Sequence, residues 1–432
     1  MSIPPFREHS QRELLVRELH ARPSEPLRAP LRISNFANLS GEKAMEVDRE
    51  HLAKLCARLG GTAPAEGAKH HTTELGGLTV KWERHTEFCS YTFFRRARFT
   101  NPFAETVIEE LPADWLAEVP GEVLSAVHLA LVPADMELPD AEEISLQYFN
   151  GNPLIGNIIA GGKARVWADF RLHADHFTRI LIKDQGLDAP HAGRTVQRLI
   201  ELNTYRAFAL LALPIAQEIN PCLRGVDEAL ADISTRMADR EDKTSDAELL
   251  GRLSQLSADI ESIAARTSYR FGASRAYYGL VKQRLIDLRL ERTGELLTID
   301  GFLERRMGPA MATCESTHER QEQLAQRAAR IGSLLRARVE VELEEQNQDV
   351  LNSMNERARM QLKLQQTVEG LSVVAISYYA VGLVGYVFKA AETAGAPINV
   401  GLATGLAVPF VVALVWFAVR KLRKEVVKKR RK

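Results

Sequence analysis

The chain has 432 residues, 45% apolar and 26% charged, and its formal net charge is zero. That is the composition of an ordinary folded protein with room for two or three domains and a sizeable core. The zero hides a gradient: from Arg420 onward there are nine Lys or Arg and one Glu, so a tail of about +8 follows a mildly acidic body.

Cys56, Cys89, Cys222 and Cys314 are far apart and form no CxxC or Cys/His cluster. A disulfide framework or zinc site is not expected, and a reducing compartment fits. The opening MSIPPFREHSQRELL has early prolines and no apolar run, so no secretory signal is expected.

Residues 1–190 read as a mixed α/β cytoplasmic domain. ELHARPSEPLRAPLRIS gathers His20, Arg22, Glu25, Arg28 and Arg32. Its arginines could clamp an anion or a partner's carboxylate, or the stretch could be a proline-shaped loop fixed by salt bridges. Residues 43–60 and 103–118 read as helices, and His70–His71 as part of a loop. LTVKWERHTEFCSYTFFRRA alternates as a hairpin, VLSAVHLALVP is an apolar strand, and ARVWADFRLHADHFTRILIKD reads as two strands about a tight turn. In HADH, His173 and Asp175 are of metal-ligating type, but no ligand spacing supports a metal, and Asp175 suits a turn. GNPLIGNIIAGGKA matches no phosphate-loop pattern. No Ser/His/Asp or Cys/His arrangement follows from sequence order, so no enzyme and no cofactor are expected.

Residues 191–370 turn helical and form a stalk. The first helix, AGRTVQRLIELNTYRAFALLALPIAQEI, should kink at Pro214. Leu324, Ala328, Ile331 and Leu335 follow 4-3-4 spacing, a coiled-coil seam. No Pro or Gly interrupts residues 333–369, so the helix can run on into the apolar segment. Met311 to Phe388 would then be a rod of roughly 115 Å. Asn347, Asn352 and Asn355 lie on it, either as a polar lining where copies converge or as a solvated face.

Two uncharged segments follow, 371–388 and 398–419, each long enough to cross a hydrocarbon layer of roughly 30 Å. They predict a C-terminal two-helix transmembrane hairpin. The basic tail, 420–432, places both termini in the cytoplasm of a bacterial inner membrane and suits anionic lipid. No nucleic acid is expected at a tail set against the membrane. In the first span Ser377, Tyr378, Gly382 and Gly385 interrupt the apolar run. Small residues there permit close helix packing or could line a narrow pore. Neither span carries an acidic residue, and Glu392 lies in the linker.

The stretches ELHARPSEPL, AGGKARVWADFRLHADHFTRILIKD, AGRTVQRLIELNTYRAFALLALPIAQEI and ISYYAVGLVGYVFKA resemble an uncharacterised family of bacterial membrane-anchored proteins over nearly the whole chain. That resemblance implies architecture and no activity. The layout of an α/β domain, a long stalk helix, two spans and a basic tail also resembles the CorA-type magnesium transport family. That likeness implies a homopentamer whose first span lines a pore and ends in Tyr-Gly-Met-Asn. Here Gly385-Tyr386-Val387-Phe388 takes that place, Gly-Met-Asn is absent, and the nearest asparagine, Asn399, lies across the linker. The expectation is a homo-oligomeric cation channel or transporter of unknown selectivity, with a divalent cation as cargo. The rival is a membrane-anchored scaffold that binds a partner and transports nothing.

Overall fold

The computed structural model describes residues 7–19, 24–41, 45–239, 244–395 and 397–429. The chain divides into two compact units, Met1–Gly332 and Ser333–Lys432.

The first unit opens with α1 (Arg12–Leu19), β1 (Leu31–Leu39) and α2 (Met45–Leu59). The hairpin strands β2 (His70–Leu75), β3 (Leu78–Arg84) and β4 (Cys89–Arg95) follow. His70–His71 therefore open a strand rather than sit in a loop. The helix expected over 103–118 resolves into a 3-10 turn, Val107–Glu110, and the short α3, Ala113–Ala117. Pro112 stands between them and has no amide to continue the first piece.

Next come β5 (Glu122–Val132), α4 (Ala141–Tyr148), β6 (Ile155–Ile159), β7 (Ala164–Ala168) and β8 (Thr178–Asp184). Then α5 (Ala189–Leu210) starts on the Asp188 carboxylate, which accepts from His191 N at 2.8 Å. α6 (Ala212–Ala238) follows after a break at Leu211, three residues ahead of the Pro214 where a kink was expected. Pro214 falls in the first turn of α6, where its missing N–H costs nothing. α7 (Asp246–Leu288) is capped by Ser245 and stops at Arg289 in the left-handed region, φ 49°. β9 (Glu291–Arg292) precedes α8 (Ile299–Thr393).

The nine strands form one mixed sheet in the order β2-β3-β4-β1-β5-β8-β7-β6-β9. Only β5 and β8 run parallel among these pairs. Period-two alternation buries both faces. One face carries Ile33, Val127, Leu129, Val166 and Ile182 against Val196, Leu199 and Phe208 of α5 and Leu303 and Met307 of α8. The other carries Phe36, Val80, Trp82, Tyr91 and Phe93 against Leu52 and Leu55 of α2 and Trp115 of α3. Phe149, Leu154 and Trp167 build a third cluster there with Ile144 of α4. The sheet and the helices 189–332 thus share one core.

Leu324, Ala328 and Ile331 are buried. Nearby, Arg320 and Arg327 reach Asp227 of α6 at 3.4 and 2.9 Å, and Asn220 Nδ2 donates to Thr317 Oγ1 at 3.0 Å. The 4-3-4 seam is therefore packed within its own chain, a correction to the coiled-coil expectation. In the second unit, α8 continues to Thr393 and α9 spans Val400–Lys429. Asn399 Oδ1 accepts from Leu402 N at 3.3 Å and caps α9.

Candidate functional site

A polar, partly enclosed space in the first unit lies between β3–β4 and α5. Val80 and Trp82 point to α2, so their strand neighbours Lys81 and Glu83 point the other way. Lys81 pairs with Thr92 and Glu83 with Ser90 across the hairpin. α5 answers with Gln197, Glu201, Thr204 and Tyr205, spaced three and four apart on one face. Between them is a cavity of about 260 Å³, completed by Glu25 and by Arg284 of α7.

Its charges are bonded in pairs. Lys81 Nζ lies 3.0 Å from Glu83 Oε1, the two side chains 7% and 11% exposed. Gln197 Nε2 donates to Glu201 Oε1 at 2.9 Å, and Arg284 Nε donates to Glu201 Oε2. Asn35 of β1 places its amide nitrogen 2.9 Å from both Ser90 Oγ and Thr92 Oγ1, which orients these hydroxyls from behind. Thr204 Oγ1 is buried with no hydrogen-bond partner.

Glu25 reaches the cavity because Gly193 lets the 25–27 segment lie against α5. A Cβ at Gly193 would stand 1.9 Å from the Glu25 carbonyl oxygen. Leu27 N donates to Ala189 O at 3.0 Å, and Thr72 Oγ1 donates to Glu25 Oε1 at 3.0 Å. Of the residues gathered in ELHARPSEPL, Glu25 is thus placed at the cavity, while His20 and Arg22 lie outside the described residues.

A second constellation joins Ser34, His128 and Asp175 on the opposite face of the sheet, which sequence order gave no reason to connect. Ser34 Oγ is 2.9 Å from His128 Nδ1, and Asp175 Oδ2 is 3.6 Å from His128 Nε2. Phe177 stacks on the imidazole at 4.0 Å. Ser34 and His128 are buried, 0% and 2% exposed, so no substrate reaches the hydroxyl. Burial pushes the imidazole down to about 4, against the opposing pull of Asp175. The group is a neutral packing element and offers no general base near neutrality.

His173 is likewise structural. Its Nε2 lies 2.9 Å from Asp169 Oδ2, both side chains wholly buried, and Asn152 Nδ2 donates to the same oxygen at 2.9 Å. Asp175 Oδ1 accepts from Phe177 N at 3.0 Å, as its turn position requires. Among the described residues no group of three His, Cys, Asp or Glu side chains is placed to hold a metal ion. Burial raises the Cys56, Cys89 and Cys314 thiols, which stay protonated.

In the second unit the residues singled out from the sequence divide between faces. Ser377 is 5% exposed, with Oγ unpartnered. A Cβ at Gly385 would meet Thr404 Cγ2 of α9 at 3.6 Å, whereas at Gly382 it would meet nothing within 4 Å. Tyr378 and Tyr386 are 76% and 75% exposed. Gly385 thus lies against α9, and Tyr378 lies away from buried surroundings. Asn352, Asn355 and Glu392 are exposed.

Lys81, Glu83, Glu201, Thr204 and Arg284 were not singled out from the sequence. The available signal was two charges at alternate positions of a strand whose other face opens with Leu78, Val80 and Trp82. A comparison with curated proteins finds no match. A family profile described as protein of unknown function (DUF3422) matches residues 7–426, nearly the full chain, and the chain belongs to that family.

Proposed function

We propose that this is a homo-oligomeric two-span membrane protein in which α8 lines an axial cation path, a CorA-like arrangement of undetermined selectivity. The observation that carries the membrane reading is a contrast in burial. Three helical stretches are long and apolar enough to cross a membrane. In Ala189–Ala238, 56% of the apolar window is buried; in Ile299–Thr393 and Val400–Lys421 only 6% is. Apolar surface left open on that scale calls for lipid or further copies. The basic tail orients both ends toward the cytoplasm of a bacterial inner membrane, against anionic lipid.

Assembly is supported by the part of α8 before the apolar segment. Leu343, Val350, Met354, Leu364 and Val368 are 54–68% exposed. They fall on one seven-residue repeat, whose inner positions also hold Asn347, Arg357 and Gln361. Such a seam pairs copies, and a buried asparagine fixes their register. Asn352 and Asn355 fall off that seam. In a nanodisc the protein should run as one discrete oligomer by mass photometry, a pentamer on this reading, and liposomes should admit a divalent cation. A monomer overturns the proposal.

A second reading, a membrane-anchored scaffold or binding protein with no transport, draws support from the absence of any acidic residue in the spans. On that reading an unrelated two-helix anchor in place of 371–419 preserves function, and on the first it abolishes it.

A further inference from the structure

We infer that the repeat on α8 continues past the stalk into the span, where the face carrying Tyr378, Gly382 and Tyr386 packs against the same face of a second copy of this chain. The inference rests on the membrane and assembly reading above, and it fixes which helix of each hairpin stands inside. The four-three spacing of Leu364 and Val368 carries on through Leu371, Ala375, Tyr378 and Gly382. α8 is one helix across all of these residues. A face that pairs copies in the stalk is therefore presented along the same line within the span.

That face is uncovered within its own chain. α9 lies along the other side of α8, where Ser377 is buried, Val381 and Val384 are partly buried and Gly385 meets Thr404. Leu371, Tyr378, Tyr379 and Tyr386 are 67–76% exposed. The chemistry of the face says what covers it. Tyr378 and Tyr379 lie midway along 371–388, at the depth of the hydrocarbon centre. Tyrosine belongs at the membrane surface, where the ring meets lipid and the hydroxyl meets water. At mid-depth lipid offers a phenol no partner. The outer face of α9 is the contrast: Leu402, Leu406, Phe410 and Phe417 are exposed and wholly apolar, as a lipid contact requires. A phenol both donates and accepts, so the same face of another copy is its complement. Gly382, one turn beyond Tyr378, leaves the backbone open to a close approach: a Cβ there would meet nothing within 4 Å. α8 thus stands inside the assembly and α9 at its rim.

The test is disulfide trapping of the full-length protein in proteoliposomes. Cys222→Ser first removes the exposed native thiol; Cys56, Cys89 and Cys314 are buried. On that background Gly382→Cys should give a covalent dimer under copper-phenanthroline oxidation, and Leu406→Cys should stay monomeric on a non-reducing gel. Ala375→Cys, on the same face, decides the matter if Gly382→Cys fails to assemble. Tyr378→Phe should weaken association by roughly threefold, the weight of one interhelical hydrogen bond in lipid. Trapping at Leu406 as efficient as at Gly382 and Ala375 overturns the inference. So does an oligomer by mass photometry that traps at neither α8 position, since copies would then meet through the stalk alone and the assembly reading would survive without this contact. A monomer by mass photometry removes both.

Discussion

By sequence, the apolar stretch of α5–α6 and the apolar ends of α8 and α9 belong to one class: each is long enough and apolar enough to cross a membrane. Their polar residues separate them. In α5, Asn203 Nδ2 donates to Ser125 Oγ at 2.9 Å and its Oδ1 accepts from Thr178 Oγ1 at 3.2 Å. Glu201 takes Gln197 and Arg284. The bonds to Ser125, Thr178 and Arg284 reach other elements, as they must in a protein interior. At the start of the apolar part of α8, Ser372 Oγ turns back to Val368 O at 2.8 Å. A helix whose polar groups need partners elsewhere in the fold belongs to a core. A hydroxyl that closes on its own backbone, as Ser372 does, can face lipid, whereas Ser377 Oγ is buried and unpartnered.

The largest effect expected from this contrast is at Phe208, which is fully buried and packs against Phe88 with ring centroids 4.4 Å apart. Phe208→Ala should cost about 3–5 kcal/mol in chemical unfolding of the first unit. Leu383→Ala, at a residue 67% exposed in α8, should leave that transition within about 0.5 kcal/mol. Equal effects would erase the distinction. Leu383→Arg sharpens it from the other side. It should disfavour membrane insertion by about 2.5–3.5 kcal/mol, read as a fall in the inserted fraction in a translocation assay.

Acid should act on the first unit through His128. Its folded value, about 4, lies below the ordinary 6.5, so the unfolded chain binds the extra proton first. Stability from this group is therefore complete above pH 6.5 and is lost as pH falls toward 4, by about 3 kcal/mol at most. Unfolding free energies measured across that window should slope, and His128→Gln should flatten the slope.

The hairpin β3–β4 and the β7–β8 pair were legible because successive residues alternate between an apolar and a polar face, and β5 because it is a continuous apolar run. β1 was missed. Its LRISNFANL places Asn35 and Asn38 inside, and their partners, Ser90, Thr92 and Asp48, are remote in sequence. The same limit applies to the cavity. Glu25, Lys81, Glu201 and Arg284 span the whole unit, and nothing local to any of them announces the others. The seam through Leu324 and Ile331 was visible as a pattern, but periodicity does not tell a partner in the same chain from one in another copy.

The smallest effect concerns an exposed ion pair of the first unit, set against a buried one of like geometry, and it tests whether burial rather than pairing distinguishes its parts. Arg275 of α7 meets Glu315 of α8 through two bonds, 3.0 and 2.8 Å, with the side chains 54% and 45% exposed. Arg270, one turn earlier, meets Glu87 at 3.2 and 2.7 Å with the side chains 15% and 5% exposed. The geometry is alike and the surroundings differ. At Arg275–Glu315 water screens both charges in either state, so a double-mutant cycle should return about 0.2–1 kcal/mol and shrink in high salt. Arg270→Ala strands the Glu87 carboxylate in a dry site and should cost about 3–5 kcal/mol, with little salt dependence. A cycle at Arg275–Glu315 as large as the loss at Arg270 would mean that the α7–α8 contact is far drier than its exposure indicates.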